Sequence, residues 1–83
     1  MTRQNLLSFY DDCINSSIYT QKEKDDIARI IGVMLANLGI ELPDYSNLSF
    51  RNEGDTLVKV INNSNGENDI INELISLQEF LRD

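Results

Sequence analysis

The chain has 83 residues, with seven basic against fourteen acidic side chains and a net charge of −7. A chain this short makes a single helical domain, 1–83, with a small core of the kind that disulfides, metal or a partner subunit usually reinforce. The lone cysteine, Cys13, and the absence of histidine argue against an internal disulfide and a soft-ligand metal site, and remove the commonest general base.

No enzyme is expected and no cofactor. The sequence has no glycine-rich phosphate loop, metal-binding helix motif or nucleophile elbow. A second subunit is the simplest way to enlarge the core, so a homodimer is expected. Direct nucleic-acid binding is not, because Lys22, Lys24 and Arg29 are interleaved with Glu23, Asp25 and Asp26 and form no basic patch. The longest apolar stretch, Ile30 to Leu38, is interrupted by Asn37 and is too short for a membrane span. Met1 to Asn5 opens a mixed polar helix, not an apolar leader, so a cytoplasmic chain is expected. The glycosylation triplets at Asn15, Asn47 and Asn62 carry no meaning without secretion.

In chain order, Thr2 is placed to cap a first helix in which Leu6, Phe9, Tyr10, Cys13, Ile14 and Ser17 recur on one face. Asp11 and Asp12 fall on the opposite side. Cys13 lies in the apolar stripe and reads as a small buried hydrophobe, with no base nearby to make it a nucleophile. Ser16 to Thr20 break this helix and start the next.

The second helix is the most completely specified. Thr20 and Glu23 form a capping box, and Gly39 followed by Pro43 stops the helix, with Ile40 covering its last turn. Ile27, Ile30, Ile31, Met34, Leu35 and Leu38 span the buried arc, while Lys22, Asp25, Asp26, Arg29 and Asn37 face water. Ala28, Gly32 and Ala36 make a small-residue line on its flank. Glycine inside a helix costs about 1 kcal/mol against alanine, so Gly32 implies a close backbone neighbour. The first helix is the nearer expectation and a second subunit the other.

Glu41 to Asn52 reads as a connector, with turn chemistry at Pro43 to Asn47. Over residues 48–61 two readings compete. Leu57, Val58, Val60 and Ile61 have helical spacing, with Asp55 placed as the cap. Their β-branching instead allows a hairpin between Leu48–Arg51 and Thr56–Ile61. The helix is preferred, because an isolated two-stranded ribbon is only marginally stable. After Asn62 to Gly66, Ser64 with Glu67 repeats the capping-box spacing, with Asn68 or Asp69 as rival caps. A last helix carries Ile70, Ile71, Leu74, Ile75, Leu77, Gln78 and Leu81, with Phe80 widening its apolar face and Arg82 near its C-terminal dipole. The fold expected is all-α: three main helices and a short fourth.

Candidate interaction residues follow from this layout. A calcium loop at Ser64 to Asp69 fails, because its register would put Ile61 at the first ligand position. Asp11, Asp12, Asp25 and Asp26 are adjacent carboxylates; neighbours on a helix point apart, so they suggest an acidic face for a basic partner, not an acid–base dyad. Tyr10, Tyr19, Tyr45 and Phe50 are expected to be partly exposed. Tyr45 and Phe50 are candidate interface anchors, with folding of the connector back on the core as the alternative. Ala28, Gly32 and Ala36 are the candidate dimer seam.

Ser8-Phe9-Tyr10, then Glu23, Ile27, Met34, Leu35 and Gly39, then Asn52, Leu57, Val58, Val60, Ile61 and Asp69-Ile70 resemble small enterobacterial connector proteins. That family modulates two-component signalling, biofilm formation and acid resistance. The likeness is one of hydrophobic spacing over most of the chain, with a longer Glu41–Arg51 stretch and a glycine, Gly54, inside a helix. It implies an all-helical homodimeric regulator without catalysis and transfers no site residue.

The expected function is therefore a small acidic regulator or inhibitor that binds another protein. One alternative is a phage- or plasmid-encoded anti-defence protein whose carboxylates mimic DNA phosphates or which blocks a host nuclease complex. A second is a small-ligand-binding protein with its pocket at a dimer seam.

Overall fold

Threonine caps open the first two helices, as their sequences require. In this computed structural model, which describes residues 2–64 and 69–82, α1 (Arg3–Ile14) begins where Thr2 Oγ1 accepts the Asn5 N–H at 3.2 Å. For α2 (Gln21–Ala36) both halves of the capping box are present. Thr20 Oγ1 accepts the Glu23 N–H at 3.2 Å, and Glu23 Oε1 accepts the Thr20 N–H at 2.8 Å. The helix unwinds through Asn37 into Gly39, whose φ of 81° is the left-handed value that favours glycine.

Residues 48–61 form no hairpin. A π-turn at Phe50–Gly54 runs directly into α3 (Asp55–Asn63), and the described residues contain no strand. Ser49, not Asp55, is the cap. Its Oγ accepts the Asn52 N–H at 3.1 Å, and Glu53 Oε2 accepts the Ser49 N–H at 3.0 Å. Asp55 has helical backbone angles and sits inside the continuous helical run.

The wide turn is visible in the Ser49 carbonyl, which accepts both the Glu53 N–H at 2.9 Å and the Gly54 N–H at 3.1 Å. Such a turn is uncommon and needs a local cause. Gly54 supplies one, since a Cβ there would lie 2.5 Å from Phe50 Cδ2. The Phe50 ring occupies the space that any other residue would fill.

α4 (Asp69–Arg82) buries Ile70, Ile71, Leu74 and Leu77. The predicted capping box of Ser64 with Glu67, and the rival cap Asn68, lie outside the described residues. Asp69 is the first residue of α4, and Ser64 closes α3, donating from Oγ to the Ile61 carbonyl at 2.8 Å. α1 packs chiefly on α2, while α3, α4 and the π-turn pack on one another and α3 and the π-turn close against α2. The sealed centre is Leu6, Ile27, Met34, Leu57, Leu74 and Leu77, with Cys13 beside it. The radius of gyration, 11.7 Å, agrees with the value of about 12 Å for a compact chain of this length. A single copy thus encloses this core by itself.

Candidate functional site

The four adjacent carboxylates do not share one face. Asp11 and Asp12 are exposed on α1, and Asp25 is exposed on α2, where it accepts a hydrogen bond from Gln21 Nε2 at 3.1 Å. Asp26 departs from expectation. It is 1% exposed, and Thr56 Oγ1 of α3 donates to its Oδ2 at 2.6 Å. Helical spacing placed Asp26 among the water-facing residues of α2, whereas the hydroxyl of Thr56 meets it inside the fold.

Asp26 is one end of a charged seam. Lys22 Nζ donates to its Oδ2 at 3.1 Å and Arg29 Nη2 to its Oδ1 at 3.1 Å. Arg29 Nε also donates to Oε1 of Glu53, the second buried carboxylate, at 3.0 Å. The seam ties α2 to α3 through Thr56 and to the π-turn through Glu53. Burial pushes the Asp26 carboxyl up, but the hydrogen bonds from Thr56, Lys22 and Arg29 outweigh it and hold the group below the ordinary carboxylate range. A parallel tie holds the α2 entrance, where Lys59 donates to the Ile18 carbonyl and to Glu23 Oε1, each at 2.9 Å, with the Tyr19 ring 5.4 Å away.

Among the described residues no buried side-chain oxygen or nitrogen lacks a partner. No group of His, Cys, Asp and Glu there is arranged to hold a metal. Burial, helped by Asp12, pushes the Cys13 thiol up to about 11, which disfavours the thiolate.

The aromatic expectations divide. Tyr45 is 8% exposed, and its ring meets Phe80 edge to face at 5.7 Å. The connector therefore folds back on the core through Tyr45, which is no free anchor. Tyr19 is likewise buried. Phe50 is half-buried between Gly54 and the Arg82 guanidinium, which stands 5.3 Å from its ring centre. The small-residue line is also corrected: Ala28, Gly32 and Ala36 are all exposed. No neighbouring atom lies within 4 Å of a Cβ built at Gly32. α1 does not approach there.

What the fold does leave open is apolar. Leu42 is 83% exposed, Phe80 53% and Ile40 51%. Between the end of α2 and α4 lies a cleft of about 150 Å³ walled by Met34, Leu38, Ile40, Pro43 and Tyr45, with Glu73 on its α4 side. Asn37 Nδ2 donates to the Asp44 carbonyl at 3.0 Å, and Asp44 Oδ1 accepts the Ser46 N–H at 2.9 Å. These bonds hold the connector in place and keep its apolar residues turned outward. Burial first, and then the charge of Glu73, push the Tyr45 phenol above its ordinary value.

A second groove, of about 180 Å³, lies between α1 and α3 beside Phe9, Cys13, Ile18, Tyr19 and Val60, with Asp12 at its edge. Ile40, Leu42, Glu73 and Phe80 were not singled out as candidate site residues from sequence. The available signal was Gly39-Ile40-Glu41-Leu42-Pro43, which sets apolar residues in a connector with no helical partner position to bury them.

Among the described residues no helix is long and apolar enough to cross a membrane. Comparison with protein-family models, with curated proteins and with solved structures finds no match to this chain.

Proposed function

We propose that this chain is a non-catalytic regulator or inhibitor that binds another protein through the apolar rim of Ile40, Leu42 and Phe80. The observation that carries this reading is Leu42, 83% exposed on a connector held at both Asn37 and Asp44. A large aliphatic side chain fixed in water gains about 1.5–3 kcal/mol when a partner covers it. Ile40 and Leu42 lie on the connector whose Tyr45 meets Phe80, and exposed apolar residues that lie together are characteristic of contact sites. A regulator without catalysis is also what the resemblance to the connector proteins implies.

Leu42→Asp tests it. Affinity capture in parallel from one lysate should recover a partner with the parent chain and lose it with the variant at unchanged thermal midpoint. Recovery of no specific partner by the parent chain would count against the reading.

A second reading, homodimerisation along Ala28, Gly32 and Ala36, is favoured by the open flank at Gly32. Light scattering after size-exclusion chromatography tests it, with Gly32→Leu expected to return a dimer to monomer. Nothing observed favours the DNA-mimic alternative, which loses Asp26 to the interior.

A further inference from the structure

We propose that the cleft beside Glu73 receives a lysine or arginine side chain of the partner protein, with apolar neighbours of that cation packing on Ile40, Leu42 and Phe80. The inference rests on the protein-binding reading above and names the chemistry of the partner. A volume of about 150 Å³ is well under the roughly 300–1,000 Å³ of small-molecule sites and suits one long side chain. Its walls suit the stem of such a side chain, since Leu38, Ile40, Pro43 and Tyr45 are apolar along most of their surface.

The Glu73 carboxylate is half-buried there and takes no hydrogen bond or ion pair from the described residues. Of this chain's seven basic side chains four are engaged elsewhere, and the other three, Arg3, Lys24 and Arg51, do not line the cleft. Lys22 and Arg29 hold the buried seam, Lys59 holds Glu23, and Arg82 covers Phe50. No basic residue lines the cleft, so Glu73 faces it without a counter-charge from its walls.

Glu41 and Asp44 are exposed on the same connector and extend the negative field around the apolar rim. That field attracts a basic segment, and at a net charge of −7 it opposes a second copy of the chain.

The test uses the full chain, isotopically labelled, and two blocked pentapeptides. One carries a single lysine between leucines; the other has glutamate in place of the lysine. The expected result is saturable amide shifts at Gly39, Ile40 and Tyr45 with the lysine peptide. Affinity should be about tenfold weaker for the glutamate peptide, for Glu73→Gln and at high salt.

Equal binding of the two peptides would overturn the proposal, as would indifference to Glu73→Gln or shifts confined to the Phe9–Tyr19 groove. Concentration-dependent shifts at the same amides without peptide would make a second copy the occupant and overturn it as well. A captured partner that requires Leu42 but ignores Glu73→Gln refutes the cation and leaves the protein-binding reading standing. Failure of capture with the parent chain refutes that reading instead.

Discussion

Two carboxylates on neighbouring parts of the fold have opposite fates. Asp26 is enclosed and receives bonds from Thr56, Lys22 and Arg29, while Glu73 lines an apolar cleft with no partner among the described residues. Both contribute equally to the net charge. Only one has its charge consumed by the fold. The lesson is that an acidic balance marks a binding surface only after the internally paired carboxylates are set aside, and here Asp26, Glu53 and Glu23 are set aside. Glu41, Asp44 and Glu73 are among the carboxylates that remain near exposed apolar surface.

The largest effect should come from removing the consumed charge. Asp26→Ala leaves the buried Thr56 hydroxyl without its acceptor and frees Arg29 from half its pairing, and should cost about 3 kcal/mol. Lys22 and Arg29 are 78% and 59% exposed, so water takes up their charges and the loss stays near the lower end for buried pairs. Urea unfolding measures it. A loss below about 1 kcal/mol would erase the contrast and place the seam with ordinary surface ion pairs.

Gly54→Ala attacks the same seam through the backbone. The added methyl meets the Phe50 ring at 2.5 Å, and overpacking of this kind costs about 1–3 kcal/mol. Displacing Phe50 also disturbs the π-turn that positions Glu53 against Arg29. The expected signature is a lower unfolding midpoint together with loss of the Phe50–Arg82 contact, seen as nuclear Overhauser effects. A neutral outcome would mean that the wide turn does not depend on its glycine.

Acid sharpens the comparison further. The Asp26 carboxyl is depressed in the folded chain relative to its ordinary value of 3.8. The unfolded state therefore binds the proton more readily, and stability falls as pH falls. The contribution is complete above the unfolded value and is lost as pH drops through the lower folded one. Thermal midpoints from pH 7 to 2 should be flat at first and then fall below about pH 4, with a shallower fall in Asp26→Asn. An identical decline in that variant would assign the acid sensitivity to other groups.

Much of the fold was legible because local signals agreed. At α2 the Thr20–Glu23 box, the Ile27–Met34 arc and Gly39 each pointed to the same helix, and all appear as expected. The π-turn was not legible. Ser49 and Glu53 are one residue further apart than a capping box requires, and Gly54 reads as a breaker until Phe50 is seen lying against it. Asp26 was misread for a similar reason. Periodicity placed it among the water-facing residues, and its partner is a hydroxyl thirty residues away in sequence. The exposed apolar rim was overlooked because Ile40 was assigned to covering its own helix end and Phe80 to a widened core face, whereas both stand half in water.

The smallest expected effect is the most discriminating. Leu42→Ser replaces a side chain that is 83% exposed, removes little buried area and breaks no hydrogen bond of the connector, which is held through Asn37 and Asp44. Surface changes of this kind stay within about 0.5 kcal/mol of the parent, and shedding an exposed aliphatic group should not lower the unfolding midpoint. If Leu42 serves only the fold, partner capture should follow stability and stay unchanged too. If Leu42 is a contact residue, capture should drop by roughly tenfold or more at constant stability, since truncating a central apolar anchor costs about 2 kcal/mol of binding. Urea unfolding and capture on the same two samples therefore separate a residue that holds the chain together from one held out for another chain. A Leu42→Ser variant that unfolded early would place the rim with the seam and remove the contrast between them.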